Sequence, residues 1–478
     1  MSTRLAAAAL LALGCNQILG TEDYSVRGDG GSDSGGGVNG GGVTNGGGDE
    51  GGSGGSGGGA MGCDAPADQK PVVTVEGEIT ADVTLSCDRT YKLTGEVFVE
   101  PGAKITVEAG TTIFGDKTTG AALVVMPGAQ IIANGTADRP IVFTSAGGEF
   151  ADPGDWGGVV ILGRAPINQR DANGNPTQGQ VEGILDTANA AYGGDDAEDS
   201  SGSLRYVRIE YGGKAIAPNN ELNGLTLAGV GRGTSIDHIM VRQTTDDCFE
   251  FFGGTVDAKY LLCQAPGDDG IDWDNGYGGR LQFVVVQQDP SFPMPGDMNG
   301  LEGDNDAAGS ANTPLSEPTL YNITLCGQNY TMGQQYGALL RKNTQAHLLN
   351  AFVSGFEAGV DLRDAGSASI EIRSSRFFGN TLLAYDEMGG APYNDDDGLF
   401  DEIAFLNDAA NQNSFDDPNI PGCNDMETLA LAPAEPLVDG AAAPPDDGFF
   451  DAEASYIGAF RDPADDWATG AWVSWKLQ

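Results

Sequence analysis

Histidine and positive charge are both scarce in this chain. Its 478 residues include two His, His238 and His347, and 24 Lys and Arg against 69 Asp and Glu, a formal charge of −45. So few histidines argue against a His-ligated zinc or iron centre. The shortage of Lys and Arg excludes nucleic acid and an anionic membrane surface as partners held by charge, because phosphate binding needs clustered cations. Also missing are a Cys-x-x-Cys pair and a Gly-Lys-Ser/Thr phosphate loop, and Gly-x-Ser-x-Gly occurs only within the Gly/Ser-rich run 51–58, with no strand before it to make a nucleophile turn. What remains is acid, glycine (74 residues) and 40% apolar residues, enough for a core. The excess of carboxylate favours cationic partners, metal ions among them. Length alone allows about three domains, although elongated β folds run longer as one unit.

The N-terminus reads as a targeting signal. One cation, Arg4, precedes the apolar run Leu5–Gly14, which is too short to span a bilayer and suits the core of a signal peptide. It ends at Ala12-Leu13-Gly14-Cys15, which resembles the lipobox of bacterial lipoproteins, with Leu11 one place earlier than that pattern has it. The resemblance implies lipidation at Cys15, and Asn16 in place of Asp leans towards the outer membrane. Residues 28–60 hold 19 Gly in 33 positions and cannot bury enough apolar surface to offset their ordering entropy. As a flexible coil, Asn16 to Gly62 would average about 40 Å end to end, the reach of a tether.

Six cysteines follow Cys15: Cys63, Cys87, Cys248, Cys263, Cys326 and Cys423. An even set in an exported chain suggests disulfides. Cys63–Cys87 would staple the start of the folded body; the other pairings stay open.

From Val72 on, short β-rich runs alternate with Gly, Pro, Asn and Asp turns. The run Val99-Glu-Pro-Gly-Ala-Lys-Ile recurs as Val125-Met-Pro-Gly-Ala-Gln-Ile, and His238–Phe252 aligns without gaps on Tyr260–Asp274. Such repeats, at a period of about 20–26 residues, mean one solenoid turn each, burying its inward face against its neighbours. The runs 156–168, 204–213, 222–241, 249–262, 299–307 and 456–475 resemble a family of exported β-helix proteins of Gram-negative bacteria. That resemblance covers roughly Val72 to Gln478. It implies an all-β right-handed parallel β-helix, the fold of pectate lyases, and no particular activity. The expected organisation is a signal peptide (1–14), a lipidated Cys with its Gly-rich tether (15–62), N-terminal coils and cap (63–145), a central β-helix (146–390), and an acidic Pro/Ala-rich segment with an aromatic C-terminal cap (391–478). An open solenoid end needs covering, and Trp467, Trp472 and Trp475 are read as that cover.

Aligning the strand after each Asp-rich turn gives Cys248–Phe252, Gly270–Asp274, Gly300–Asp304, Gly337–Arg341 and Gly359–Arg363. Alternation sends the second and fourth residues of each into the core. The third and fifth face outward: Glu250, Asp272, Asp274, Glu302 and Asp304, then Asp361 with Arg341 and Arg363. Carboxylates on successive coils repel unless water, raised pKa values or a cation intervenes. Glu250, Asp272, Asp274, Glu302 and Asp304 are therefore the candidate Ca²⁺ ligands; the competing expectation is a solvated acidic face. The turn pairs Asp246-Asp247 and Asp268-Asp269 either cap turns or join the same ion. Asp171–Asn175 and Asn394–Gly398 are incomplete calcium-loop patterns.

Three functions follow. A non-catalytic surface rod on a lipid tether would bind glycan, matrix or an envelope partner at the outer membrane or cell surface, stabilised by calcium. A calcium-dependent polysaccharide lyase on uronate-containing polymers would use Arg341 or Arg363 as base. A glycosidase would use Asp246-Asp247-Cys248, which resembles the paired-acid motif of polygalacturonases; that family's His-Gly and Arg-Ile-Lys motifs are absent. The first is the preferred reading.

Overall fold

The computed structural model describes residues 27–28 and 62–475, apart from 186, 218–219, 290, 292–297, 329–334, 364–368, 386–399, 421, 424 and 426–429. The signal segment, Cys15, nearly all of the tether and Asn394–Gly398 lie outside the described residues.

Short aliphatic runs stack into one large parallel sheet wound as a right-handed β-helix. Three columns of strands form its walls. In the first, Val207–Glu210 pairs with Ile239–Arg242, then with Leu261–Gln264, Val284–Gln287, Ile323–Cys326 and Ala351–Ser354. The second runs Val159–Leu162, Leu225–Ala228, Phe249–Phe252, Ile271–Asp274, Leu301–Gly303, Ala338–Leu340 and Val360–Leu362. The third runs Leu204–Arg205, Ile236–Asp237, Ala258–Lys259, Leu281–Gln282, Leu320–Tyr321 and Leu348–Leu349. Coils cross residue 145 without a break, since Ile141–Phe143 pairs with Val207–Ile209. Several strands, such as Val159–Leu162 and Leu225–Val230, are buried on both faces and so read as unbroken apolar runs.

The corner between the third and first columns is a single residue. Tyr206, His238, Tyr260, Phe283, Asn322, Asn350 and Ser374 all take φ between 48° and 60°, and the pairing register steps over them. That left-handed conformation is uncommon for aromatic side chains, so the coil geometry imposes it. It turns each of these side chains outward into a vertical stack. The His238 ring lies 4.4 Å from Tyr206 and 4.3 Å from Tyr260, and Tyr260 lies 4.9 Å from Phe283.

Further along the stack the same position carries Asn, which grips a segment returning from the C-terminal side. Asn350 donates to the Ala442 carbonyl at 2.9 Å and accepts its N–H at 2.8 Å; Asn322 donates to the carbonyls of Ala454 and Tyr456. Gln264 then holds the Trp475 carbonyl at 2.7 Å, the Trp475 indole donates to Gln287, and the Trp472 N–H reaches Ala137 O. Residues 431–475 thus form a strap running back along the flank. The aromatic tail therefore covers the side of the helix instead of its open end. The reason is that Met240, Leu262, Val285 and Phe352 of the first column face outward and are apolar, and Trp472 and Trp475 pack on them. The last coils are covered instead by the helix Glu402–Asn407, begun by Asp401, whose side chain accepts the Ala404 N–H at 2.7 Å. Leu406 on that helix enters the main core.

All six cysteines of the folded body are paired: Cys63–Cys87, Cys248–Cys263 and Cys326–Cys423. Cys263 stacks on Val241, and the Cys248 sulfur lies beside the Val241 carbonyl, so the second bridge joins neighbouring coils inside the core. The third ties the strap side to the first column.

Candidate metal centre

The turns leading into the second column carry a ladder of Asn and Asp. Asp247 N–H donates to Asn223 Oδ1 at 3.2 Å, Asp269 N–H to Asp247 Oδ1 at 2.8 Å, Asn299 N–H to Asp269 Oδ1 at 2.6 Å, and Tyr336 N–H to Asn299 Oδ1 at 3.0 Å. Each side chain therefore holds the backbone of the next coil. The four residues recur at one place because the repeats align there: Asp246-Asp247, Asp268-Asp269 and Met298-Asn299 each precede a second-column strand.

Three residues beyond each ladder position stands a member of a second row, with register Thr226, Glu250, Asp272, Glu302, Leu339, Asp361. The expected alignment of Glu250, Asp272 and Glu302 therefore holds. Ladder and row together bring carboxylate oxygens within 4.8 Å of one another in three groups: Asp247, Glu250 and Asp272; Asp269, Asp272 and Glu302; Asp246, Asp247 and Asp268. Asp272 belongs to two of them. Its Oδ1 is buried and has no hydrogen-bond partner among the described residues.

The row faces away from the core, as alternation requires, yet it is not a solvated face. Residues 163–199 leave the second column after Leu162 and fold back over it. Pro166 O accepts the Gly254 N–H, Asn275 O accepts the Asn168 N–H, and Asn168 Nδ2 reaches Asn305 O. The Tyr192 ring lies 6.2 Å from Phe252, and its hydroxyl meets Asn275 Nδ2 at 3.2 Å. Beneath this roof Glu250 is 5% exposed, Asp269 3% and Asp304 7%, while Asp272, Asp274 and Glu302 are partly buried.

Burial, then the neighbouring carboxylates, push the acids of Asp246, Asp247, Glu250, Asp269 and Asp272 well above the ordinary carboxylate range. Asp274 is raised to about 7, chiefly by burial, and so is Glu182 of the roof, by burial and then by Glu221 and Asp274. Glu302 is raised by burial against the opposing pull of Arg341. Two unit charges at the observed 4.8 Å limit repel by about 3.5 kcal/mol at an effective dielectric of 20.

Among the described residues, cations reach only one end of the row. Arg341 pairs with Glu302 and, at 2.9 Å, with Asp304; Lys342 reaches Asp304 at 2.7 Å. Arg363 pairs with Asp361 at 2.7 Å and donates to the Tyr336 hydroxyl. Desolvation acts to lower the pKa of both guanidiniums, but these carboxylates outweigh it and leave each raised. Asp304 is thus a salt-bridge partner, and Asp274, whose Oδ1 accepts the Asn275 N–H, stands outside the three clusters. The structure adds Asp247 and Asp269 to the inner set. Their signal in the sequence was the gapless recurrence of the Asp pair; the Asn residues that continue their ladder were not singled out. In the loop Asp171–Asn175, the Asp171 carboxylate accepts the N–H groups of Asn173 and Asn175, so it closes its own turn. His347 pairs with Glu317 and Glu371, away from the row.

Residues 77–387 match the family described as a pectate-lyase like beta helix domain, so the chain belongs to that family. No curated protein and no solved structure is a significant match to the chain.

Proposed function

We propose that this member of the pectate-lyase-like β-helix family is a non-catalytic surface rod, lipid-anchored at Cys15 to the outer membrane or cell surface of a Gram-negative bacterium. Its flanks serve to bind a glycan, matrix or envelope partner, and its acidic row holds calcium as a structural ion. One observation carries the calcium reading. Asn223 and Asn299 provide the same ladder acceptor as Asp247 and Asp269. The ladder therefore needs an oxygen and not a charge. Carboxylates placed there, beside Glu250, Asp272 and Glu302, add repulsion that a cation offsets. Calcium suits them, since it takes six to eight oxygens in irregular geometry. The orphaned Asp272 Oδ1 supplies an acceptor that fits an ion. Asp247, Glu250 and Asp272 would form one face of such a site, and Asp269, Asp272 and Glu302 the other.

The alternative is a calcium-dependent lyase acting on uronate polymers, and the contact of Arg341 with Glu302 and Asp304 favours it by placing a basic side chain beside the acids. Against it, the same carboxylates hold Arg341 protonated, the opposite of what a general base requires.

Two measurements test these readings. Calcium binding to the native state alone raises stability by about 2.7 kcal/mol at a hundredfold excess over Kd. Calcium should therefore raise the melting temperature, chelator should lower it, and Asp272→Asn with Glu302→Gln should remove the response. Because extracellular sites bind as weakly as about 1 mM, the titration extends to about 10 mM; a flat melting temperature over that range defeats the calcium reading. Formation of unsaturated product from polygalacturonate, lost in Arg341→Met, would establish the lyase instead.

A further inference from the structure

The first coil presents a sheet edge at the N-terminal end of the helix. Its strand Val72–Ile79 pairs on one side with Thr90–Val99 of the next coil. On the other side it meets, among the described residues, only Arg27 and Gly28 of the tether, which lie antiparallel opposite Thr74 and Val73. The core stops here: Val73 and Val75 are buried, while Val72 is 53% exposed. An open edge of this kind is a template for any extended chain.

The direction of each backbone group fixes what the edge can accept. Pro71 O accepts the Thr90 N–H, so it points to the next coil. Alternation then turns the N–H and C=O groups of Val72, Thr74 and Glu76 outward and those of Val73 and Val75 towards the next coil. The pairing of Thr74 with Arg27 is therefore the hydrogen-bonded kind. The outward row is bounded on both sides. Pro71 has no N–H to offer, and at Gly77, with φ of 72°, the register shifts. Carrying the observed register between these limits sets Ser25–Asp29 against Val72–Glu76. Two further observations favour this segment over another chain. Both ends of the Gly-rich run belong to the first coil, since Cys63, after its end, is bonded to Cys87, just past the first-coil strand Val83–Leu85. And Arg27 is the one cation between Leu5 and Gln69, whereas the edge strand carries Glu76 and Glu78 and no cation.

We propose that Ser25–Asp29 docks as an antiparallel strand on Val72–Glu76 and closes the N-terminal edge of the β-helix. The Gly-rich run from Gly30 to Gly62 is then a closed loop and not part of the link to the membrane. Such a loop holds the strand at an effective concentration of roughly millimolar, so it outcompetes a second chain present at lower concentration. For the anchor the consequence is one of reach. Docking shortens the flexible link from about 40 Å to about 17 Å, the span from Cys15 to Ser25. This consequence, unlike the docking itself, rests on the proposed lipidation at Cys15.

Amide hydrogen exchange at single-residue resolution on the full chain tests the docking. The Thr74 and Glu76 amides should be protected, because their N–H groups face the tether. Arg27→Pro removes the donor opposite Thr74 O and should speed exchange of both amides about tenfold or more. Val73 and Val75, whose amides face the next coil, should exchange as in the parent, which also reports that the body is folded. Val43→Pro, in the Gly-rich run, should leave all four unchanged. Unprotected Thr74 and Glu76 amides in the parent, or protection that survives Arg27→Pro, overturns the proposal. So does protection that rises with protein concentration, which is what a second copy seated on the edge would give. No readout involves the lipid, so failure of the docking and failure of the anchor are told apart.

Discussion

Asp247 Oδ1 accepts the backbone N–H of Asp269, one coil on, at 2.8 Å. One carboxylate oxygen is thereby fixed to the neighbouring coil, and the same side chain lies in a group with Glu250 and Asp272. Asparagine at both ends of the ladder makes the same bond with no charge. The double variant Asp247→Asn, Asp269→Asn should therefore fold with its ladder intact. In chelator it should match or exceed the parent in stability, because like-charge repulsion is gone. It should also lose the rise in melting temperature on adding calcium. A variant that unfolds in chelator would show that the charges themselves hold the ladder.

The acids of the row give the stability a definite pH dependence. Asp274 and Glu182 are raised to about 7 from ordinary values of 3.8 and 4.5. Between those limits the folded chain keeps protons that the unfolded chain has released, so stability falls as pH rises. In chelator the melting temperature should drop from pH 5 through pH 7. A calcium ion among Asp247, Glu250, Asp269, Asp272 and Glu302 competes with the protons those acids hold, so the calcium increment should grow as pH rises. A chelated protein whose melting temperature rises or stays flat over this range would contradict the raised pKa values.

Trp472 is fully buried between the strap and the first column, 5.8 Å from Tyr206 and 5.4 Å from His238. Truncating a buried Trp to Ala costs about 3–5 kcal/mol. Trp472→Ala should show a loss of that order in denaturant unfolding, with the circular dichroism of the coils retained. If the tail were only an end cover, the variant would instead fray the coils near Ile372 and leave those near Met240 unchanged in hydrogen exchange.

Lipidation at Cys15 has a direct readout. Cys15→Ala should leave precursor uncut by the lipoprotein peptidase and move the protein out of the membrane fraction. Unchanged membrane attachment would remove the anchor from the functional reading.

What the sequence disclosed depended on whether a feature repeats. Glu250 and Asp272 lie one gapless repeat apart, and Glu302 follows a longer turn that preserves the Gly-aliphatic-acid pattern, so their register was legible. The roof over them was not. Residues 163–199 occur once, carry no period, and reach the row through backbone groups such as Pro166 O that no side-chain pattern encodes. The pairing of Cys248 with Cys263 escaped for a different reason. Repeat alignment placed Cys263 over Val241 and Cys248 under Gly270; the bond depends on Cys248 turning inward beside Val241, a packing fact. The aromatic tail was correctly sensed as a cover. Its place became clear only with the outward apolar row of Met240, Leu262 and Val285, which alternation counts as surface.

The returning strap also changes how the rod fails under load. A bare solenoid peels from an end, since each coil grips only its neighbours. Here the coil at Asn350 cannot unwind without tearing Ala442 free, and the same segment is fastened at Asn322, Gln287, Gln264 and Ala137. Tension on one end is thus shared along the flank as shear through many bonds at once. Fraying that would otherwise proceed in small steps becomes a single cooperative rupture, and the body stays whole under load until that threshold.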